Sequence, residues 1–499
     1  MANAVVALLD EHVEAGRGRA PAVVGPDGAA TYEDLLRLAG RAGHGLRALG
    51  VEPEQRVAIL LSDGVPWAAV FLGILRIGAV AVPLNTRLSP ALWLEMVRDS
   101  RARVLVAEPS LSRSLGALAA EMPGLHLLAP AALLAGGPER LPAEAVADDD
   151  MAVWLYTSGT TGRPKAAVHV HRNLLAGRPY GVGVLGAGPE DRTLATSRLF
   201  FAYALGNALL NPLLLGGTTI LDPGWPDPRS VAVLVRTFRP TLFFSVPTFY
   251  ARVLASDLPG DTFAGVRCAV SAGERLPPEV AGAMAERFGL EVLDGLGATE
   301  TIFMVLSNRP GRSRPGSAGT PVPSTAARLL DEAGGDAPDG AEGTLAVKTP
   351  SAAAGYWRRL DESRRAFVGE WFHTGDVFVR DTDGFYHHRG RRDDRFKVAG
   401  LWVAPADVEA ALLSHPAVVE AAVVGAEEKR TGLVKAFAFV VARDGAGSGL
   451  ETALARAVEE RLAPHQRPRR VFVVPELPRT ATGKVQRFVL RDWVADRDR

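Results

Sequence analysis

The sequence predicts an α/β protein: a large N-terminal body of mixed and parallel sheets with helices and a β-rich subdomain, then a small α+β C-terminal domain. Three observations predict it. Short, nearly continuous apolar runs such as Arg56-Val57-Ala58-Ile59-Leu60-Leu61 carry the mark of strands buried on both faces. They alternate with helical periodicity at the spacing of strand–helix–strand units. Beyond about Gly311, Ser, Pro and Gly alternate with short strand-like runs, and a compact stretch of mixed helix and strand signals closes the chain.

In order, residues 5–13 and 32–49 show helical spacing, the second opening on Thr31-Tyr32-Glu33-Asp34 as an N-cap with an acidic first turn. The strand at 56–61, a helix from Trp67, and strands at 79–83 and 103–107 follow. An Ala/Gly/Pro-rich piece, 130–150, reads as a loose connection. A second α/β set runs from a helix near Asn173 through 204–215, 218–221 and 231–238, with buried strands at 242–246 and 266–271. Residues 343–348 belong to the β-rich subdomain, and 390–394 form a charged, flexible junction. Beyond it, helices at 408–413 and 450–462 accompany strands at 421–425, 436–441 and 470–474. The expected division is a body at 1–392 and a lid at 393–499.

Composition narrows the function. At 499 residues the chain is long enough for roughly three structural units. Its formal net charge of zero gives no global electrostatic case for nucleic acid or an anionic membrane. Cys268 is the only cysteine, which excludes an intrachain disulfide and a cysteine-clustered metal site. The first turns carry Asp10, Glu11 and Glu14 with no basic start, unlike a secretory signal. The longest apolar stretch, 67–84, is interrupted by Arg76 and Gly78 and closed by Pro83, so a buried helix running into a strand fits better than a membrane span. The expectation is a cytoplasmic enzyme.

The chemistry concentrates in polar stretches at strand or loop ends. Tyr156-Thr157-Ser158-Gly159-Thr160-Thr161-Gly162-Arg163-Pro164-Lys165 gathers hydroxyls, flexible backbone and two cations. Exposed N–H groups in such a turn make an anion-binding concavity, and Lys165 adds a mobile charge, so the first reading is a triphosphate-holding loop. An ordinary surface turn is the alternative. It is not a Walker A loop, because Arg163 and Pro164 follow Gly162. Ser271-Ala272-Gly273-Glu274 suits backbone recognition of a purine edge, or caps a helix. In Gly297-Ala298-Thr299-Glu300, the last residue is a candidate Mg²⁺ ligand and Thr299 a phosphate contact. His373-Thr374-Gly375-Asp376 offers a carboxylate for two ribose hydroxyls, or another cap. Thr480-Ala481-Thr482-Gly483-Lys484 places a lysine in a flexible loop.

Together with Gly390-Arg391-Arg392-Asp393-Asp394-Arg395-Phe396-Lys397, these stretches occur in the order seen in the acyl-adenylate-forming superfamily, which the chain resembles over nearly its whole length. The resemblance implies two half-reactions with a hinging lid: a carboxylate attacks the α-phosphate of ATP, then a thiol displaces AMP. It further implies that Thr157, Ser158, Gly159, Thr160, Thr161, Gly162 and Lys165 hold the triphosphate. Ala272, Gly273, Glu274, Asp294, Gly295 and Leu296 would surround the nucleotide. Thr299 would touch the α-phosphate and Glu300 would hold Mg²⁺. Asp376 and Arg391 would bind ribose, Lys484 would bridge carboxylate and α-phosphate, Asp393 would be the hinge, and Gly400 would line the thiol entry.

The chain departs from that pattern at Ala166 (usually Gly), Leu296 (often an aromatic stacked on adenine) and Ala399 (often Ser). The stretch Leu199-Phe200-Phe201-Ala202-Tyr203-Ala204 and the run Phe396-Lys397-Val398-Ala399-Gly400 look like the benzoate-CoA ligase branch, where the first lysine assists thioester formation. Aromatic packing in the core is the other reading of the Phe/Tyr cluster. The branch implies an acyl slot at Phe201, Ala202, Tyr203, Ala272, Gly295, Gly297 and Met304, kept flat by small residues. Phe200 to Leu215 holds no Lys, Arg, Asp or Glu, so no second charged substrate group is expected there. The reading is activation of a small benzoate-like acid with ATP, Mg²⁺ and CoA. A carrier-protein phosphopantetheine is the alternative acceptor, with His465-Gln466-Arg467-Pro468-Arg469-Arg470 a basic run facing either, or simply solvated. A non-catalytic nucleotide-binding scaffold is the third reading, and whether the protein forms a homodimer is left open.

Overall fold

The computed structural model describes residues 3–111, 114–116, 121–158, 164–429, 431–443, 449–459, 461–479 and 485–497. Packing divides the chain into two compact units. One holds Met1–Ala327, Ala346–His373 and Gly384–Tyr386; the other holds Arg328–Leu345, Thr374–Asp383 and His387–Arg499.

In the first unit, the predicted apolar strands Arg56–Leu60, Val80–Pro83 and Val104–Ala107 run parallel, in the register Val57↔Ala81 and Val57↔Val104. Met151–Ser158 joins them in parallel, through Ala81↔Val153. It then pairs antiparallel with Pro164–Val170, so two paired strands flank the glycine-rich stretch in the sequence. Helix Tyr32–Ala48 starts where the sequence places it: Thr31 Oγ1 accepts the Asp34 amide at 3.1 Å while the Thr31 amide donates back to Asp34 at 3.0 Å. Helix Val65–Arg76 is apolar on nearly every side and buried accordingly.

A nine-stranded sheet supplies the other half of this unit. Its centre is parallel, in the order Val292–Gly297, Cys268–Ser271, Leu242–Ser245, Arg192–Ala195, Thr218–Ile220 and Pro21–Gly25. Cys268–Ser271 and Val292–Gly297 run into the two stretches of this sheet that the sequence marks as chemical, 271–274 and 297–300. Cys268 sits among Tyr180, Leu242 and Val270, and its thiol is buried.

Some elements differ from expectation. The helical stretch at 5–13 is two short π-helical segments, Val6–Asp10 and Val13–Arg17. The connection at 130–150 contains a short helix, Ala131–Leu134. The junction at 390–394 carries regular structure: strand Tyr386–Arg391 runs into the 3₁₀ turn Arg392–Asp394. Gly295 and Gly297, of the expected acyl slot, lie on strand Val292–Gly297, because its antiparallel partner Met304–Ser307 continues the sheet past the parallel core.

The second unit is built on Val418–Glu427 antiparallel to Val434–Ala442, which pairs in parallel with Arg470–Val473. Alternation sends Val423, Ala438 and Val440 to one face, with Val408, Leu412 and Leu454. Ala422, Val424, Phe437 and Phe439 face Leu490 and Val494 of helix Arg487–Arg497 on the other. Among the described residues, no helix is long and apolar enough to cross a membrane.

Candidate active site

Thr157↔Lys165 and Ser158↔Pro164 close the neck of the glycine-rich hairpin. Gly159, Thr160, Thr161 and Gly162, and the side chain of Ser158, lie outside the described residues, as does Lys484. Ala166 is an ordinary strand residue opposite Tyr156, so replacing glycine there costs no backbone strain.

Strand pairing aims Lys165 at a fixed partner set. Its ammonium lies 3.8 Å from the centre of the Tyr356 ring and 3.3 Å from Glu362 Oε2. The Tyr356 hydroxyl donates to Glu300 Oε1 at 2.7 Å. Tyr356 holds this place because Gly355–Tyr356 pairs antiparallel with Pro164–Val170, Tyr356 opposite Ala167. Sequence reasoning singled out Lys165 and Glu300 but not the residue that touches both; a lone tyrosine carries no local signal.

The Thr299–Thr301 turn is held from several sides. The Ala353 amide donates to the Glu300 carbonyl at 2.8 Å, and His169 Nε2 donates to the Thr299 carbonyl at 2.9 Å. Burial pushes His169 down to about 4, so the ring is neutral at working pH and the proton belongs on Nε2. Thr301 Oγ1 is committed to the Ala298 and Phe303 carbonyls. Ile302 follows with φ 52°, a conformation that costs a β-branched residue ~1–3 kcal/mol and persists only where surroundings enforce it. Thr299 and Glu300 are half-buried at this strained corner.

Ala272 is buried and Gly273, with φ +93°, is exposed at the end of Cys268–Ser271. Asp294 is buried, accepting the Leu276 amide at 3.3 Å, and burial pushes its carboxyl up to about 7. Leu296 is half-buried opposite Leu306. A Cβ on Gly295 would fall 2.5 Å from Met304 Cε, so this glycine makes room for the methionine.

The expected acyl segment enters helix Ala202–Ala204, which continues through the π-helical Leu205–Leu210. Phe201 is half-buried, its ring 4.5 Å from that of Phe200; Ala202 is buried. The Tyr203 hydroxyl donates toward the carbonyls of Ser245 (3.2 Å) and Val270 (3.1 Å), which fixes the ring edge-on to Phe244. A further residue that the sequence did not reveal anchors the segment. Asp63 is buried, accepts the Leu199 amide at 3.2 Å and faces Arg198 at 3.6 Å. Burial pushes Asp63 up to about 7, partly offset by Arg198.

Asp376 and Arg391, expected to share a ribose, come together in the second unit: Arg391 lies 3.5 Å and His388 3.4 Å from Asp376 Oδ1. Asp393 is exposed. Its neighbour Asp394 faces Arg487 at 3.4 Å, and Arg395 pairs with Glu342 at 2.6 Å. Lys397 is exposed on hairpin Phe396–Val398/Leu401–Val403, 4.7 Å from the centre of the Trp402 ring. Ala399 (φ 51°) and Gly400 (φ 83°) form its two-residue turn, both in the left-handed region that such turns require.

Against this geometry, the model of the AMP-binding enzyme family matches residues 9–357, and that of the AMP-binding enzyme C-terminal domain matches 407–484. The chain belongs to the AMP-binding enzyme family. A benzoate–CoA ligase of Thauera aromatica is 40% identical over 98% of this chain and 95% of its own length. Two solved relatives superpose closely. The anthranilate CoA ligase AuaEII in complex with anthranoyl-AMP gives a TM-score of 0.91 at 36% identity, covering 98% of this chain and 96% of that one. A benzoate CoA ligase from Burkholderia xenovorans LB400 gives 0.89 at 39% identity, covering 98% and 99%.

Proposed function

We propose that this AMP-binding enzyme activates a small, benzoate-like aromatic carboxylic acid with ATP and transfers the acyl group to CoA. The observation that carries the reading is the Lys165–Tyr356–Glu300 constellation in a chain 40% identical over nearly its full length to a benzoate–CoA ligase. The chemical problem is the approach of one anion to another. Oriented donors and cations that contact the α-phosphate more strongly in the transition state lower that barrier, each typically by ~3 kcal/mol.

In the first step the substrate carboxylate oxygen attacks the α-phosphorus, the bond to the bridging oxygen breaks, and pyrophosphate leaves. Lys165 and Thr157, with Ser158, Gly159, Thr160, Thr161 and Gly162, would hold the triphosphate; Thr299 and Lys484 would contact the α-phosphate. Glu300 fits Mg²⁺: Tyr356 occupies Oε1, Oε2 has no protein donor among the described residues, and Mg²⁺ on nucleotides is commonly held by one or two carboxylates with phosphate oxygens. Bound there, the ion would neutralise phosphate charge. In the second step the CoA thiolate attacks the acyl carbonyl and AMP leaves, assisted by Lys397 beside Gly400. The region 393–499 would act as a lid pivoting at Asp393 between the steps, with Asp376 and Arg391 on the ribose.

Pyrophosphate release across a panel of aromatic acids, followed by thioester formation with free CoA or with a carrier protein, tests the reading. Benzoate or a lightly substituted relative is expected to have the highest kcat/KM, with CoA as acceptor. A higher kcat/KM for long-chain fatty acids overturns the acyl assignment, and thioester formed only on the carrier overturns the acceptor.

A further inference from the structure

Tyr356 touches both of the charged groups that the proposed chemistry needs in this unit, yet lies far from either in sequence. The face of its ring is 3.8 Å from the Lys165 ammonium, and its hydroxyl donates to Glu300 Oε1 at 2.7 Å. We infer that Tyr356 is a positioning residue that sets the phosphate-loop cation and the metal-facing carboxylate relative to each other before nucleotide arrives.

Four features support this. Tyr356 is only 8% exposed and its backbone is fixed on both sides: the Ala354 amide donates to Val168 and the Trp357 amide to Ala166, at 2.8 and 2.9 Å. Phe367 packs edge-on against its ring at 5.5 Å, and Ser363 Oγ accepts its amide at 2.9 Å, so the ring has little freedom to follow a moving partner. The strand it pairs with is the one that carries Lys165 out of the hairpin, so cation and ring share one backbone frame. The same segment reaches Glu300 twice, through the Tyr356 hydroxyl and the Ala353 amide.

The division of labour follows from the chemistry of the ring. Its π face attracts the ammonium without neutralising it, so Lys165 stays charged and available to an incoming phosphate. Glu362, 3.3 Å from the same ammonium, supplies a carboxylate that phosphate oxygens can replace. The hydroxyl takes up one carboxylate oxygen of Glu300 and so orients the other. Removing the hydroxyl alone therefore releases the carboxylate but leaves the cation in place; removing the ring releases both.

This inference rests on the proposed nucleotide site but not on the identity of the acid. The test is calorimetric titration of ATP, with and without Mg²⁺, into the whole protein without any carboxylic acid. Tyr356→Phe is expected to raise the Kd for MgATP about 5–10-fold while leaving that for metal-free ATP within twofold. Tyr356→Leu is expected to weaken both. The overturning results are wild-type MgATP affinity in Tyr356→Phe, equal weakening with and without the ion, or no MgATP binding by the parent protein. Phenylalanine keeps the ring and its packing, so this arm stands even if Tyr356→Leu fails to fold. Separate measurement of pyrophosphate release with benzoate distinguishes failure of the substrate reading, which leaves these binding results untouched.

Discussion

Gly425 offers a perturbation that reaches Lys397, proposed above to assist the thioester step, without altering that residue. It lies on strand Val418–Glu427, and the Phe396 ring rests on it: a Cβ there would be 2.2 Å from Phe396 Cγ, 2.6 Å from Cδ2 and 2.7 Å from Cβ. Ordinary carbon contacts are ~3.5–4.0 Å, so Gly425→Ala must displace the ring and its strand by about 1.5 Å. Overpacking of this kind costs ~1–3 kcal/mol, which a folded unit can survive. Phe396 is followed directly by Lys397, in the short hairpin where Lys397 pairs with Trp402, so the shift carries the lysine along. A misplacement of ~1 Å can cost ~10²-fold in rate. We expect acyl-CoA formation from supplied acyl-adenylate to fall ~10–100-fold, while benzoate-dependent pyrophosphate exchange stays within threefold of the parent. Stopped-flow thioester formation and exchange measured on one preparation decide it. A folded variant with a parental thioester rate, or with equal loss in both half-reactions, would refute the role given to this hairpin.

Three further outcomes follow from the geometry. Burial holds His169 and His171 down at about 4, so the unfolded chain gains protons between pH 6.5 and 4 that the folded chain does not, and their contribution to stability falls as pH falls through that window. His169→Asn should remove ~1.4 kcal/mol per pH unit of that slope, read from urea midpoints between pH 6.5 and 4.5 against the parent; an unchanged slope contradicts a buried neutral ring. Tyr203 directs its proton at two backbone carbonyls, so Tyr203→Phe should cost ~0.5–1.5 kcal/mol of stability but leave the kcat/KM ratio of benzoate to hydroxybenzoates within threefold. A larger change would mean that this hydroxyl reads the ring substituent. Asp393→Pro should fix φ near −65° within the 3₁₀ turn and abolish one half-reaction selectively, and unchanged rates in both would place the pivot elsewhere.

Sequence reading succeeded where the signal was continuous along the chain. The strands Arg56–Leu60, Leu242–Ser245 and Cys268–Ser271 announce themselves because burial on both faces demands unbroken apolar runs. Pro21–Gly25 does not, since its partners Gly28–Thr31 and Thr218–Ile220 divide between a neighbouring turn and a remote strand. Pro164–Val170 was hidden by a start of proline and lysine that reads as loop. The polar stretches pointed to Lys165, Glu300 and Asp376, but His169, Tyr356 and Asp63 act through tertiary contacts with residues remote in the sequence. The Tyr356 hydroxyl reaches a carboxylate 56 residues away, and nothing in either local pattern records that distance.

The solitary thiol has a consequence at the bench. Cys268 is 4% exposed, and burial pushes its pKa up to about 12, so at pH 8 only ~10⁻⁴ of it is thiolate. A chromogenic disulfide added to the folded enzyme therefore reacts with free CoA and not with protein, so the disappearance of colour-forming thiol reports acyl transfer without a blank for the chain. With CoA omitted, the same reagent has one target, which it meets only when strand Cys268–Ser271 comes out of the sheet. Slow colour development then gives the rate at which that sheet opens, a clock for unfolding that needs no label.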